Sequence, residues 1–306
     1  MENFYVSLTH LAQLIPLPVY NLLCSFTICI FCSAAFALPS PEASELSGHY
    51  LKIEENLLHS PLLRPLQINS QSNADHLSGE IYAVVEFEMT KINSIAGSSE
   101  RWCEVMLLLS NCQACVVSAN NRDALLVSMS SSKTADIDST PPTEFKLIVK
   151  SIKDDYLDIA LAANEGPLGT RNINLNLRAI PLSNGRSFVH LHYAYDTQWL
   201  GRMAMQTYLQ TAGRGKTGFS KTKDANGEPT PISGVRGVIE RNTMRYFLGF
   251  ECALSLKSLT EPERFRSMSQ CWYEQVEKYP LQLHEMQRTE YLDMKSLEYG
   301  RHRNSP

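Results

Sequence analysis

With 306 residues, a formal net charge of −4 and 43% hydrophobic side chains, the chain is long enough for one large domain, or one domain with an extension. It lacks the basic excess that a phosphate backbone demands, so nucleic acid is excluded as an expected partner. No internal repeat is visible, and the one biased tract is the serine-rich run from Ser128 to Ser132.

Residues 1–37 read as a targeting segment rather than as part of the fold. Leu11 to Ala37 is apolar and uncharged, and it ends in the small-x-small sequence Ala35-Phe36-Ala37. Pro39 and Pro41 stop a helix from continuing. The first ten residues carry no Lys or Arg, which a cleaved signal normally has. Two forms therefore stay open, an export signal that is removed or an anchor that holds the protein on a membrane through residues 11–37. Either form predicts an exported protein, periplasmic or extracellular. Cys24, Cys29 and Cys32 lack the small-residue lead-in of a lipid-modified cysteine.

After the segment, Leu46, Tyr50, Ile53, Leu57 and Leu58 recur at helical spacing and predict a helix over 41–60. A short strand at 66–70 follows. Residues 79–87 are then too densely β-branched and aromatic for a half-exposed strand, so a central one is expected. Two short helices come next, the second capped by Ser99 with Glu100 in its first turn and a buried stripe of Trp102, Val105, Met106 and Leu109. Residues 116–118 and 124–129 predict a hairpin about Asn120-Asn121-Arg122-Asp123, and 130–142 a long polar loop.

A meander is expected over 145–152, 156–163, the alternating run Asn172 to Leu177, and 187–195. Ile173, Leu175 and Leu177 take one face of the third strand, and Asn172, Asn174 and Asn176 should mark the face turned to water. From Thr197 the period becomes helical through Leu200, Met203, Ala204, Thr207 and Tyr208. A polar connection, 213–233, leads to the longest helix, 235–256. That helix is apolar almost all round and so should be buried on several sides. Amphipathic helices at 262–279 and 281–299, hinged at Tyr279-Pro280, complete the chain.

In an oxidising compartment the cysteines beyond the targeting segment are disulfide candidates or buried thiols. Cys112-Gln113-Ala114-Cys115 has redox spacing but runs into a strand. A redox pair needs a helix N-terminus, where the dipole stabilises a thiolate. A structural bridge between Cys103 and Cys115 is the favoured reading, with Cys112, Cys252 and Cys271 as buried thiols.

Arg101-Trp102-Cys103-Glu104-Val105, Glu165 to Arg171, Thr211 to Arg214, Gly234 to Tyr246 and Tyr279 to Glu285 carry a resemblance to the START-like, helix-grip superfamily, and within it to a group of exported bacterial proteins. The resemblance implies an α+β fold, a curved antiparallel sheet of about seven strands wrapped around the helix from Val235. It implies a helix-grip domain over 42–258, a C-terminal helical extension over 259–306, and an apolar cavity that takes a hydrophobic small molecule or lipid.

Gly215-Lys216-Thr217 is not a phosphate loop, because Gln210 stands where the first glycine belongs and a helix precedes it. His190 and His192 share a strand face, but a third ligand such as Asp196 is not forced by spacing, and His284-Glu285 lacks the second histidine of a zinc-protease motif. No metal, cofactor or catalytic residue is assigned. No Gly-x-Ser-x-Gly elbow occurs, and Asp154 with Asp155 reads as a solvated turn. The suggestive group lies on the long helix. Arg241 and Arg245 are four apart and stack, with Asn242 and Tyr246 in the next row. Their partners are either Glu240 or Glu165, or the anionic head of a ligand whose tail meets Val238, Tyr246 and Phe250. Alternatives to a carrier are a cyclase- or hydrolase-type enzyme using His190 or Glu240, and an envelope interaction protein without ligand.

Overall fold

The computed structural model describes residues 40–73, 75–130, 142–211, 213–256, 260 and 262–304. The expected targeting segment, with Cys24, Cys29 and Cys32, lies outside them, as does most of the polar loop at 130–142. Helix α1 (Pro41–Leu58) starts where the Ser40 hydroxyl accepts from the Ala43 amide at 3.1 Å and Pro41 presets the first turn. Ala43, Leu46, Ile53 and Leu57 make its buried stripe.

A hairpin, β1 (Leu66–Asn73) and β2 (His76–Val85), precedes α2 (Met89–Ala96) and α3 (Ser99–Leu107). The cap of α3 is Ser98, one residue earlier than expected, its hydroxyl accepting from the Arg101 amide. Then come β3 (Cys112–Ser118), β4 (Asn121–Met129), β5 (Thr143–Ile152), β6 (Leu157–Glu165), β7 (Thr170–Pro181) and β8 (Ser187–Thr197). Helix α4 (Trp199–Gln210) and a small hairpin, β9 (Lys221–Lys223) with β10 (Pro229–Pro231), lead to α5 (Gly234–Ser255). The expected last helix, 281–299, is broken. A single turn α7 (Pro280–Leu283) is separated from α8 (Arg288–Asn304), and α6 (Glu263–Val276) precedes both.

All eight large strands form one antiparallel sheet in the order β1-β2-β8-β7-β6-β5-β4-β3. That is eight strands rather than about seven. All eight coincide with runs read as strands in the sequence, and β3 begins at Cys112 and not Val116, because an irregularity between Cys112 and Ala114 interrupts its alternation. Ile81, Leu191, Leu177 and Ile159 are successive partners across β2, β8, β7 and β6 and form an apolar row on the inner face. Against that face lies α5, seated closely at Gly79, where a Cβ would stand 3.3 Å from Ile239. One antiparallel sheet laid against one long helix is a helix-grip arrangement. Helices α6 and α8 share its core through Phe265, Met268, Trp272 and Tyr291.

The outer face is not simply the wet one. Helix α1 lies across it and buries Tyr82, Val84, Tyr156, Ile180 and Phe188 in a second apolar cluster. The asparagine row is therefore split. Asn172 is exposed, at a register shift between Arg171 and Asn174, whereas Asn176 is half-buried and donates to Asp158 at 2.7 Å and to the Ile159 carbonyl at 2.8 Å.

Candidate functional site

The inner face of the sheet and α5 were expected to enclose a cavity. Among the described residues, aromatic side chains occupy that space. Trp102 and Phe250 stack at 5.4 Å, Tyr193 meets Tyr246 at 4.9 Å, and Tyr195 lies 5.5 Å from Tyr193. A cavity of about 1090 Å³ lies elsewhere, on the opposite face of the sheet beside Glu144, Lys146, Ile148, Ala162 and Asn164. Burial raises the tyrosines, Tyr195 to about 12 and Tyr193 and Tyr246 well above the phenol range, so they act in the grip as neutral hydrogen-bonding groups.

The six candidate ligand residues of α5 fall on different sides of it. At about 100° per residue, Arg241 and Phe250, nine apart, point in opposite directions. Tyr246 and Phe250 turn toward Tyr193 of the sheet and Trp102 of α3. Arg241 turns to the connection after α4, where Nη1 donates to the Thr217 carbonyl at 3.1 Å and Nη2 reaches the Tyr208 hydroxyl at 3.5 Å. Arg245 donates to Asn242 Oδ1 at 3.1 Å and to Glu285 at 2.6 Å. Val238 is buried. A tail lying against Phe250 therefore has the helix between it and Arg241.

The anticipated acid partners are engaged elsewhere. Glu240, fully buried, accepts from the Ser70 hydroxyl at 2.6 Å, the Phe219 and Ser220 amides at 2.7 and 2.9 Å, and the Ser220 hydroxyl. It pins the connection between α4 and α5 and has no free oxygen for acid–base work. Glu165 sits 3.9 Å from Arg171 at the surface. Glu285 is the residue that sequence reasoning missed, noticed only as half of a failed zinc motif. Lys216 and Thr217 were likewise noticed only as half of a failed phosphate loop.

His190, named as a titratable group for the interior, lies on the outer face beneath α1. The reason is strand parity, since its inner-facing neighbours are Val189 and Leu191. Arg178 donates to its Nδ1 at 3.0 Å, which leaves the proton on Nε2, donated to Glu80 at 3.2 Å. Tyr82 stacks on the ring at 4.2 Å, and His49 of α1 stacks on Tyr82 at the same distance. Burial lowers the proton affinity of His190, against the raising effect of Glu80. His192 is on the same face, but Asp196 turns away to His76 and Asn172. Among the described residues no three His, Cys, Asp or Glu side chains form a metal-binding group.

The structure joins Cys103 to Cys115 and also Cys252 to Cys271, leaving Cys112 as a buried thiol. The second bridge ties the end of α5 to α6 and corrects the expectation of buried free thiols there. Burial raises Cys112 to about 12, so it is unreactive.

No protein-family model matches the chain, and no curated protein matches it. Among solved structures it is similar to human StAR-related lipid transfer protein 5, at 11% identity over 69% of this chain and 97% of that one, with a TM-score of 0.33. It is also similar to a START superfamily protein from Mycobacterium smegmatis, at 11% identity over 46% and 93% of the two chains and a TM-score of 0.30. A Thalictrum flavum norcoclaurine synthase is similar at 11% identity over 47% and 89%, with a TM-score of 0.33. Likeness at this level carries no argument about ligand or activity. The fold stands on its own strand order and the seating of α5.

Proposed function

We propose that this START-like helix-grip protein binds a hydrophobic small molecule or lipid between the inner face of its sheet and α5, as a carrier or binding module of the cell envelope. The supporting observation is the inner surface itself. It is apolar from β1 to β6, and its polar exceptions beside α5 include the three neutral tyrosine hydroxyls. A ligand enters by displacing aromatic rings, and each methylene it buries contributes about 0.8 kcal/mol. Packed on one another, the rings keep that surface covered. Two disulfides support export, since such bridges persist in oxidising compartments, and residues 1–37 supply the targeting or anchoring segment.

The test is native mass spectrometry of protein purified from an envelope fraction, together with titration of a pyrene-labelled fatty acid. A bound apolar mass, or saturable probe binding competed by unlabelled lipid, supports the proposal. Neither result, in protein that is folded and oxidised, overturns it. That outcome selects a second reading which the filled interior favours, an envelope interaction protein whose grip is packed core. The enzyme alternative loses its named groups, because His190 faces away from the grip and Glu240 is saturated.

A further inference from the structure

On the side of α5 turned from the sheet, three cations gather where one carboxylate is offered. Arg241 is fully buried, and beyond its bonds to the Thr217 carbonyl and Tyr208 hydroxyl its Nε meets no acceptor. One turn on, buried Arg245 holds Asn242 and Glu285, and its Nε is likewise left over. Lys216 donates to the His284 carbonyl at 2.8 Å. The Thr217 hydroxyl, buried beside Arg241, has no partner either.

The acids within reach are taken. Glu285 receives Arg245 at one oxygen and the Ser110 hydroxyl at the other. Burial pushes it up, but Arg245, Ser110 and Lys216 together hold it below the usual carboxylate range. Glu277 is bonded to His284 at 2.9 Å, and Glu240 is closed by its four donors. Among the described residues, Glu285 is the one carboxylate that forms an ion pair with the group of Lys216, Arg241 and Arg245. A buried guanidinium without a counter-charge is a costly arrangement that folding tolerates only when something completes it.

Glycines bring the parts together. Gly215, at φ +78°, turns the chain after α4. Gly218 and Gly237 let it lie on α5, since a Cβ on Gly237 would stand 3.1 Å from the Gly218 amide nitrogen and 3.3 Å from Arg241 Nη1. The segment that fails as a phosphate loop in sequence is therefore laid beside two arginines by the fold.

We infer that Lys216, Thr217, Arg241 and Arg245 form a binding site for a small oxyanion, a carboxylate or phosphate group, either free or as the head of an amphiphile. The planar guanidinium forks suit paired oxygens, Lys216 adds a point charge, and the Thr217 hydroxyl is a further donor. The site stands on the other side of α5 from the grip, so it does not depend on an apolar ligand there, and either proposal can fail alone.

The experiment measures thermal unfolding of the full chain in sodium phosphate, acetate or chloride at matched ionic strength. An oxyanion should raise the midpoint in a saturable way over chloride. Arg241→Gln should weaken the apparent affinity at least about tenfold, and Lys216→Met, at the half-buried edge, by a smaller factor. If Arg241→Gln does not fold, Lys216→Met decides. Sedimentation with phosphatidylcholine vesicles, with and without phosphatidylglycerol, separates the sources. Retention that needs both the anionic lipid and these residues assigns a headgroup, and a phosphate shift without it assigns a free anion. If neither phosphate nor acetate shifts the midpoint and anionic vesicles retain nothing more, or if both variants respond as wild type does, the inference is overturned.

Discussion

The two sides of α5 are built for different company. Toward the sheet and α3 it presents Ile239, Thr243, Tyr246 and Phe250, all buried, with the hydroxyl of Thr243 returned to the Ile239 carbonyl at 2.7 Å. Away from the sheet it presents Arg241 and Arg245, as deeply buried, with one ion-pair partner, Glu285, between them. Burial on the first side is stabilising in proportion to area. On the second it is stabilising only if each ion finds a partner. The lesson is that a helix apolar almost all round carries its functional information in the angular position of a few polar residues.

The apolar side can be broken most visibly. Phe250→Ala removes a ring stacked on Trp102 at 5.4 Å, and the loss should be about 3–5 kcal/mol, read from the urea midpoint. A loss below about 1 kcal/mol would mean that the neighbours collapse into the space. The next largest effect lies at the end of the same helix. Replacing Cys252 and Cys271 together by Ala opens a bridge spanning 19 residues, which should cost about 3 kcal/mol. Under reductant the wild-type advantage should vanish; if it persists, packing between α5 and α6 does the holding.

Much of this was legible in the sequence. Strand alternation gave the inner face of β7 at Ile173, Leu175 and Leu177, and the all-round apolar character of α5 gave its burial, whereas in β8 the expectation of His190 in the interior took the wrong face. What failed to show was anything fixed by pairs distant in the chain. Covering of the outer face by α1 follows from Tyr82 and Phe188 lying on the polar side of their strands, and their alternation is indistinguishable from that of a solvated face. Lys295 looks like a surface residue of an amphipathic helix, yet it is fully buried, donating to the carbonyls of Leu109 and Cys112 and to Glu298. The salt-bridge partner of Arg245 lies 40 residues on, and no local spacing selects Glu285 over Glu240. The cationic site was legible by half, because the arginines share a helix face, whereas Lys216 and Thr217 arrive only through the glycine-permitted approach.

A milder change sharpens the contrast without breaking it. Tyr246→Phe removes the hydroxyl that stands against Tyr193 and should cost about 1 kcal/mol. Apolar probe binding should be kept and the response to phosphate untouched. A variant that lost the phosphate response would show that the two sides of α5 are coupled.

The shallowest effect belongs to the outer face, where polarity is buried but paired. His190 is held below its ordinary 6.5, first by burial and also by Arg178, while Glu80 pulls the other way. Glu80 is itself held below its ordinary 4.5, chiefly by the hydrogen bond from His190. His192 is lowered too, by burial and by His190. His49 and Glu45 face the group from α1, and Glu45 stands 3.8 Å from Arg178. Between pH 6.5 and the folded value, an unfolded chain takes up protons that folded His190 and His192 refuse. Stability is therefore full above about pH 6.5 and declines as pH falls, and Glu80 adds its own loss below about 4.5. His190→Gln should flatten the upper part of that decline in urea midpoints taken from pH 7.5 to 4 and shrink the lower part too, since Glu80 loses the imidazole that chiefly lowers it. An unchanged profile would place the proton uptake on His192 or on a histidine away from α1.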